Sequence, residues 1–133
     1  MLFRSVTGDL SFFYDINALW QNYTPKSFRV IIINNQGGGI FRILPGAKQV
    51  APFETFLETP HQRNAALMAK EFGFDYVGVH DMDQLKVAFG SFFGSSDAPR
   101  IMEVFTPSGL NDTVLNGYFY YLKANTGPLS HEL

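Results

Sequence analysis

Two short segments of the sequence carry oxygen-bearing groups at a spacing that suits a hard metal ion. Gly8-Asp9-Leu10 opens a helical pattern, and Asn34-Asn35-Gln36-Gly37 ends the Ile-rich run that follows. Mg²⁺ takes oxygen ligands in near-octahedral geometry and completes its shell with water and substrate phosphates. An Asp carboxylate, an Asn amide oxygen and a nearby backbone carbonyl would supply such ligands. The spacing therefore predicts a magnesium site that also holds a phosphate group.

The strands that position these segments follow from the apolar pattern. Short apolar runs alternate with helical stripes, which is typical of an α/β fold. The predicted strands cover residues 2–7, 28–33, 76–79 and 100–105. The second is a continuous run rich in β-branched residues, as expected for a strand buried on both faces of a parallel sheet. Open α/β sheets bind ligands beyond the C-terminal ends of their strands, so the first two strands predict one shared site.

Helices are predicted between and after the strands. The first stripe covers residues 12–23 and is closed by Pro25. A last amphipathic helix runs over 110–121, and the tail 125–133 is predicted to fray. Residues 36–58 form a long irregular stretch, and loops of that length are usually binding loops or lids.

Local capping signals predict where the two middle helices begin and end. Thr59 caps the second helix with Pro60 at its first position, and Gly73 is a left-handed terminator. Asp81 with Gln84 three residues later resembles a capping box for the third helix.

Composition narrows the classes of partner. The chain has 133 residues, a formal net charge of −2 and no cysteine. These values give no electrostatic footprint for nucleic acid and exclude disulfides and thiolate metal sites. No apolar run has the roughly 18 residues of a spanning helix, so membrane insertion is not expected. Charged residues make up 17% and aromatic residues 16% of the chain, which favours an apolar face buried against another chain or domain over an aromatic-rich core.

The pairing of Gly8-Asp9 with Asn34-Asn35 resembles the thiamin diphosphate (ThDP) signature of the transketolase and pyruvate decarboxylase superfamily. Within it, GDLSFFYDINAL at 8–19, NNQGGGIF at 34–41 and FETFLETPH at 53–61 are similar to one family. That family comprises the 2-succinyl-5-enolpyruvyl-6-hydroxy-3-cyclohexene-1-carboxylate synthases of menaquinone biosynthesis. The resemblance runs from about residue 5 to about residue 122.

The resemblance implies a three-layer α/β/α ThDP-binding fold with a mostly parallel sheet. Residues 1–133 would form a single C-terminal, diphosphate-binding domain that is truncated at its N-terminus. The family uses ThDP and Mg²⁺, with Mn²⁺ as an alternative, to decarboxylate 2-oxoglutarate. It then adds the succinyl semialdehyde carbanion equivalent to isochorismate, which is a transketolase-type transfer.

The resemblance also implies partners. The glutamate that activates the cofactor's aminopyrimidine belongs to a pyrimidine-binding domain of a neighbouring subunit. We therefore expect a homo-oligomeric cytoplasmic enzyme as the full-length protein and no activity from the isolated chain.

The family pattern implies roles for individual residues. No catalytic residue is implied. The metal ligands are Asp9, Asn35 and the carbonyl of Gly37. The cofactor-binding residues are Gly8, Asp9, Leu10, Ser11, Asn35 and Gly37, and the substrate-side residues are Ile40, Phe41 and Leu44.

Plainer interpretations stay open for these residues. Asp9 also suits a helix N-terminus, the glycines a flexible loop, and Ile40 and Phe41 ordinary packing. His61 and His80 read as structural or exposed. No hydrolase triad, P-loop or dinucleotide motif is present.

Two alternatives remain for the whole chain. The first is that the chain is a small subunit of a two-chain ThDP decarboxylase. The second is that it is a non-catalytic α/β domain that binds a partner through its aromatic face. A continuous upstream reading frame would favour the synthase, and an adjacent gene for a pyrimidine-binding domain would favour the two-chain enzyme.

Overall fold

A parallel four-stranded sheet forms the centre of the computed structural model, which describes residues 4–44, 46, 52 and 54–126. The strand order is β1-β2-β4-β3, and every neighbouring pair is parallel. The strands are β1 (Arg4–Gly8), β2 (Arg29–Asn34), β3 (Asp75–Val79) and β4 (Arg100–Phe105). The α-helices are α1 (Asp9–Tyr14), α2 (Ala66–Glu71), α3 (Met82–Phe92) and α4 (Asn111–Asn125). The predicted α/β class and its parallel sheet are confirmed.

Helices cover both faces of the sheet, which gives the expected three layers. Successive strand residues point to opposite faces, so each strand feeds two separate cores. On one face, α1 and α2 pack with Val30, Ile32 and Ile101 of the central strands. On the other face, α3 packs with Val79 and Met102.

Arg29 closes the N-terminal end of the sheet. Its side chain is buried, and its guanidinium donates to the carbonyl oxygens of Phe92 (2.7 Å) and Gly94 (2.7 Å) after α3. It also donates to the carbonyl oxygens of Lys26 (2.7 Å) and Phe28 (2.9 Å). One buried cation thus satisfies the C-terminal end of α3 and the turn before β2, because a helix leaves its last carbonyls without partners.

The predicted helix over 12–23 is wrong in extent. The chain leaves the α-helix after Tyr14, because Asp15 adopts φ −100° and ψ 13°, and a 3₁₀ turn follows over Ile16–Leu19. Phe12 lies in the core, whereas Trp20 and Tyr23 are 75% and 88% exposed. The apolar stripe was longer than the surface that the sheet offers it, and packing decided the length.

The predicted cap at Thr59 is also wrong. Thr59 has φ +50°, and α2 begins only at Ala66, after a stretch without regular structure. The helix-ending role of Gly73 is confirmed, since it follows α2 with φ +73°. The Asp81 cap is confirmed as well: its carboxylate accepts from the amides of Asp83 and Gln84, and the Gln84 side chain accepts from the amide of His80.

The remaining expectations are met in part. The stretch 36–58 contains a 3₁₀ turn over Gly39–Arg42 and a π turn over Glu54–Glu58. The helix α4 forms, but its apolar side chains Val114, Tyr118 and Tyr121 are exposed. Residues 2–3 of the predicted first strand, Phe53 and most of the predicted tail, 127–133, lie outside the described residues. Among the described residues, no helix combines the length and the apolar character needed to cross a bilayer.

We predict that Arg29→Met lowers the free energy of unfolding by at least about 3 kcal/mol, because several hydrogen bonds from a buried charged group are lost together. Urea denaturation of the chain measures this. Arg63→Lys, a change at an exposed arginine, serves as the control and should shift stability by less than about 0.5 kcal/mol. An Arg29→Met protein as stable as the parent would show that the four carbonyls find other partners.

Candidate functional site

The C-terminal ends of β1 and β2 form one wall of a pocket. The two strands pair in parallel with Gly8 opposite Ile33, so the residues that follow each strand lie side by side. The cavity has a volume of about 430 Å³. It is lined by Gly8, Asp9, Leu10, Ser11, Tyr14, Ile33, Asn35, Gly37, Gly38, Gly39, Ile40 and Phe41.

All but one of the predicted metal-ligating, cofactor-binding and substrate-side residues therefore line one cavity. The exception is Leu44, which is 48% exposed and does not line the cavity. Tyr14 lines the cavity without having been predicted to do so.

Asp9 is the buried anchor of the pocket, with a residue exposure of 2%. Its Oδ1 accepts from the amide of Leu10 at 2.9 Å, and its Oδ2 accepts from the amide of Gly37 at 3.0 Å. The carboxylate thus ties the start of α1 to the glycine-rich turn after β2. The amide of Leu10, expected to face a diphosphate, is engaged by this carboxylate instead.

His61 contacts Asp9 but does not line the cavity, and the sequence analysis did not predict this contact. Its Nε2 is 3.1 Å from Asp9 Oδ2, and the side chain is only 4% exposed. Its Nδ1 accepts from the amide of Arg63 at 3.1 Å, so the ring proton belongs on Nε2. His61 Nε2 is nevertheless without a hydrogen-bond partner among the described residues. The ring also packs edge-on against Phe13.

The turn after β2 is built by Asn34. Its Oδ1 accepts from the amide of Gln36 at 2.9 Å, and Gln36 adopts φ +63°. A Cβ at Gly37 would lie 2.8 Å from the carbonyl oxygen of Glu58, so a side chain does not fit there. The glycines thus serve close packing of backbone against backbone as well as conformational freedom.

An ion pair between the buried Glu58 and the partly exposed Arg42 holds the outer part of this loop. Glu58 is 5% exposed, and its carboxylate pairs in two-pronged fashion with the guanidinium of Arg42. The carbonyl oxygen of Glu58 also accepts from the amide of Gly38 at 2.6 Å. The segment Glu54–Glu58 is thereby fastened to Gly39–Arg42, the turn that carries Ile40 and Phe41. Nothing local in the sequence pairs Arg42 with Glu58, and the sequence analysis missed both.

The donor set of the pocket fits a hard cation that keeps water or phosphate in its shell. The side-chain amide of Asn35 makes no hydrogen bond within the described residues, and Asp9 Oδ1 accepts only one. The carbonyl oxygen of Gly37 accepts from the amide of Gly39 at 3.0 Å and has a second lone pair. No cluster of three or more His, Cys, Asp or Glu side chains suited to a metal occurs in the described part of the chain. A metal here would therefore need the amide, the backbone and a bound anion.

No protein-family model matches the chain. Curated proteins do match it, among them the 2-succinyl-5-enolpyruvyl-6-hydroxy-3-cyclohexene-1-carboxylate synthases of Christiangramia forsetii, Flavobacterium johnsoniae and Porphyromonas gingivalis. Identity is 47% over 119 residues, 47% over 114 residues and 41% over 125 residues, or 90%, 86% and 94% of this chain. This chain is homologous to these synthases. It spans only 21%, 21% and 22% of their respective lengths.

We predict that His61→Leu destabilises the chain by about 1–3 kcal/mol, because the amide of Arg63 loses its acceptor and the buried carboxylate of Asp9 loses a polar neighbour. Chemical denaturation measures the effect. Gln62→Leu, at the exposed position next to His61, is the control, and it should change stability by less than about 0.5 kcal/mol. Equal stability of His61→Leu and the parent would reduce His61 to a packing residue.

Proposed function

We propose that the chain is the diphosphate-binding, C-terminal part of a ThDP- and Mg²⁺-dependent synthase. The full-length enzyme would decarboxylate 2-oxoglutarate and add the resulting carbanion equivalent to isochorismate. The observation that supports this most is the pocket at the ends of β1 and β2, where Asp9, Asn35 and Gly37 meet. The homology to synthases of that name supports the choice of reaction.

In this proposal Asp9 Oδ1, the Asn35 amide oxygen and the Gly37 carbonyl would hold the metal. The backbone of Gly8, Leu10 and Ser11 would hold the diphosphate. Binding would require the amide of Leu10 to be shared between the Asp9 carboxylate and the phosphate, since the two compete for one N–H.

ThDP itself supplies the electron sink for decarboxylation. The work of this chain is to bind the cofactor, orient it and keep water from the reacting centre. The Arg42–Glu58 pair fits the last role, because it fastens the segment that ends at Glu58 to the turn that carries Ile40 and Phe41, which line the pocket.

Ile40 and Phe41 are proposed as the substrate side of the pocket. They line the same cavity as Asp9 but carry no polar atom with which to hold a phosphate. Leu44 does not line the cavity, so the substrate-side proposal depends on the other two residues.

The activating glutamate is proposed to come from a pyrimidine-binding domain of a neighbouring subunit in a homo-oligomer. A chimaera tests the whole proposal: this chain replaces the matching segment of the Christiangramia forsetii synthase. Turnover of 2-oxoglutarate and isochorismate by the chimaera is expected. A folded, oligomeric chimaera without turnover or ThDP binding would contradict the proposed function.

We predict that Asp9→Ala or Asn35→Ala in the chimaera abolishes Mg²⁺-dependent ThDP binding, because each change removes an oxygen ligand from a site with few protein ligands. Calorimetric titration with ThDP and Mg²⁺ is the measurement. Asp15→Ala and Asn17→Ala, which alter exposed residues just after α1, are matched controls and should bind normally. Unchanged affinity in both site variants would leave Asp9 a helix-terminal acid only.

We predict that Phe41→Ala lowers catalytic efficiency by roughly 10- to 200-fold while ThDP affinity barely changes, because an apolar wall contributes about 1–3 kcal/mol to discrimination. Steady-state kinetics of the chimaera with both substrates would reveal the loss. Phe89→Ala, at a half-exposed position of α3 outside the pocket, is the control. Loss of ThDP binding together with turnover would show that Phe41 is structural.

One observation favours the alternative of a non-catalytic interaction domain. The helix α4 presents Val114, Tyr118, Phe119 and Tyr121 to solvent, and large exposed apolar surfaces often mark contacts. The calorimetric titration separates the two readings, since an interaction domain has no need to bind ThDP.

A further inference from the structure

Glu103 is a fully buried carboxylate in the middle of β4, with an exposure of 0%. No lysine, arginine or histidine of the described residues forms an ion pair with it. Its Oε1 accepts from the side-chain amide of Asn34 at 2.7 Å. Its Oε2 accepts from the backbone amide of Ala65 at 2.8 Å and from the hydroxyl of Tyr76 at 2.7 Å. Buried charge without such donors would be strongly unfavourable, so the three donors stabilise it.

The first donor leads directly to the pocket. Asn34 uses its Nδ2 for Glu103 and for the carbonyl of Arg63 (3.0 Å), which leaves its Oδ1 for the amide of Gln36. The next amide, that of Gly37, reaches Asp9. Glu103 and the carbonyl of Arg63 therefore set the amide orientation of Asn34, with Glu103 making the shorter contact, and Asn34 shapes the turn that presents Asn35 and Gly37.

The second donor leads to the same place from the other side. Holding the amide of Ala65 fixes the start of α2 and the chain that precedes it. In that chain, His61 donates its backbone N–H to the carbonyl of Gln36 at 3.1 Å and places its ring against Asp9. Both segments that surround Asp9 are thus anchored on one carboxylate beneath the site.

The third donor does not lead to the pocket. Tyr76 lies on β3, an edge strand of the described sheet, and is not among the pocket's lining residues. Burial, together with its hydrogen bond to Glu103, raises the pKa of Tyr76, so the hydroxyl stays protonated and donates. Tyr76 thereby offers a control that removes one hydrogen bond to Glu103 without touching either path to Asp9.

We propose that Glu103 is the positioning residue of this site, which holds Asn35, Gly37 and Asp9 in the geometry that a phosphate-bound divalent cation requires. The proposal rests on the proposed function. Partners behind metal ligands commonly matter about 10- to 100-fold in metal affinity.

A charge-preserving exchange tests it. In Glu103→Gln, the new NH₂ group must face a donor, either the amide of Asn34 or that of Ala65, so one hydrogen bond becomes a repulsive contact. In Asn34→Asp, the new carboxylate faces the carboxylate of Glu103 at the place where the parent has a hydrogen bond of 2.7 Å, so the contact becomes repulsive. In the double variant the new amide donates to the new carboxylate, which can still accept from the amide of Gln36, while the hydrogen bond to the carbonyl of Arg63 stays lost. The pair is restored with donor and acceptor exchanged.

We expect each single variant to weaken Mg²⁺-dependent ThDP binding by the chimaera at least tenfold in a calorimetric titration. The double variant should bind at least about threefold more tightly than either single variant, since it regains the contact with residue 103 but not the one with the carbonyl of Arg63. Tyr76→Phe should stay within about threefold of the parent. Circular dichroism should report the parent and all variants as equally folded. If Glu103 were needed only for folding, the double variant would not regain ThDP binding relative to equally folded single variants. Parent-like binding by Glu103→Gln, or an equal loss in Tyr76→Phe, would overturn the proposal.

A second measurement on the 133-residue chain needs no cofactor. Amide hydrogen exchange, followed by NMR, should accelerate at Gln36 and Gly37 in Glu103→Gln and not in Tyr76→Phe. Unchanged exchange at these amides in Glu103→Gln would overturn the proposal. If the parent chimaera fails to bind ThDP, the proposed function fails, and the exchange data decide separately whether Glu103 positions the turn.

Discussion

The irregular chain at the C-terminal edge of the sheet depends on the hydrogen bonds of three buried carboxylates. Asp9, Glu58 and Glu103 are each at most 5% exposed. Asp9 and Glu103 accept from the backbone amides of Gly37 and Ala65, which lie outside the helices and strands, and Glu58 accepts from the side chain of Arg42. Buried polar groups are strongly destabilising when left without partners, so these acids and the loops around them must form together. The pocket is a consequence of that mutual requirement.

The two ends of the sheet use charge in opposite ways. At the N-terminal end, the buried cation Arg29 collects carbonyl oxygens. At the C-terminal end, buried anions collect N–H groups. Strand direction and helix ends expose carbonyls at one edge and amides at the other, and the buried charges complement them. Stability at Arg29 and geometry at Asp9 can therefore be altered separately.

The exposed aromatic side chains of α4 bear on the proposed contact with a neighbouring domain. The helix contacts the turn that carries Ile40 and Phe41, while Tyr118 and Tyr121 are exposed. Under the proposed function, a pyrimidine-binding domain of a neighbouring subunit would meet the pocket. A surface of this kind beside the pocket is compatible with such a neighbour.

Short-range patterns determined the elements that local chemistry controls. The β-branched run became β2, Asp81 capped α3, and Gly73 took the left-handed conformation, because strand burial, capping and positive φ depend on a few neighbouring residues. The segments around Asp9 and Asn35 also predicted a shared site, since parallel strands bring their ends together. Only the tertiary structure decided that the helix after Asp9 stops at Tyr14 and that Thr59 caps nothing. It also decided that His61 contacts Asp9, Glu58 pairs with Arg42 and Glu103 accepts from Asn34. Their partners are far away in the chain, and the energy of a buried polar contact depends on groups that only folding brings within reach.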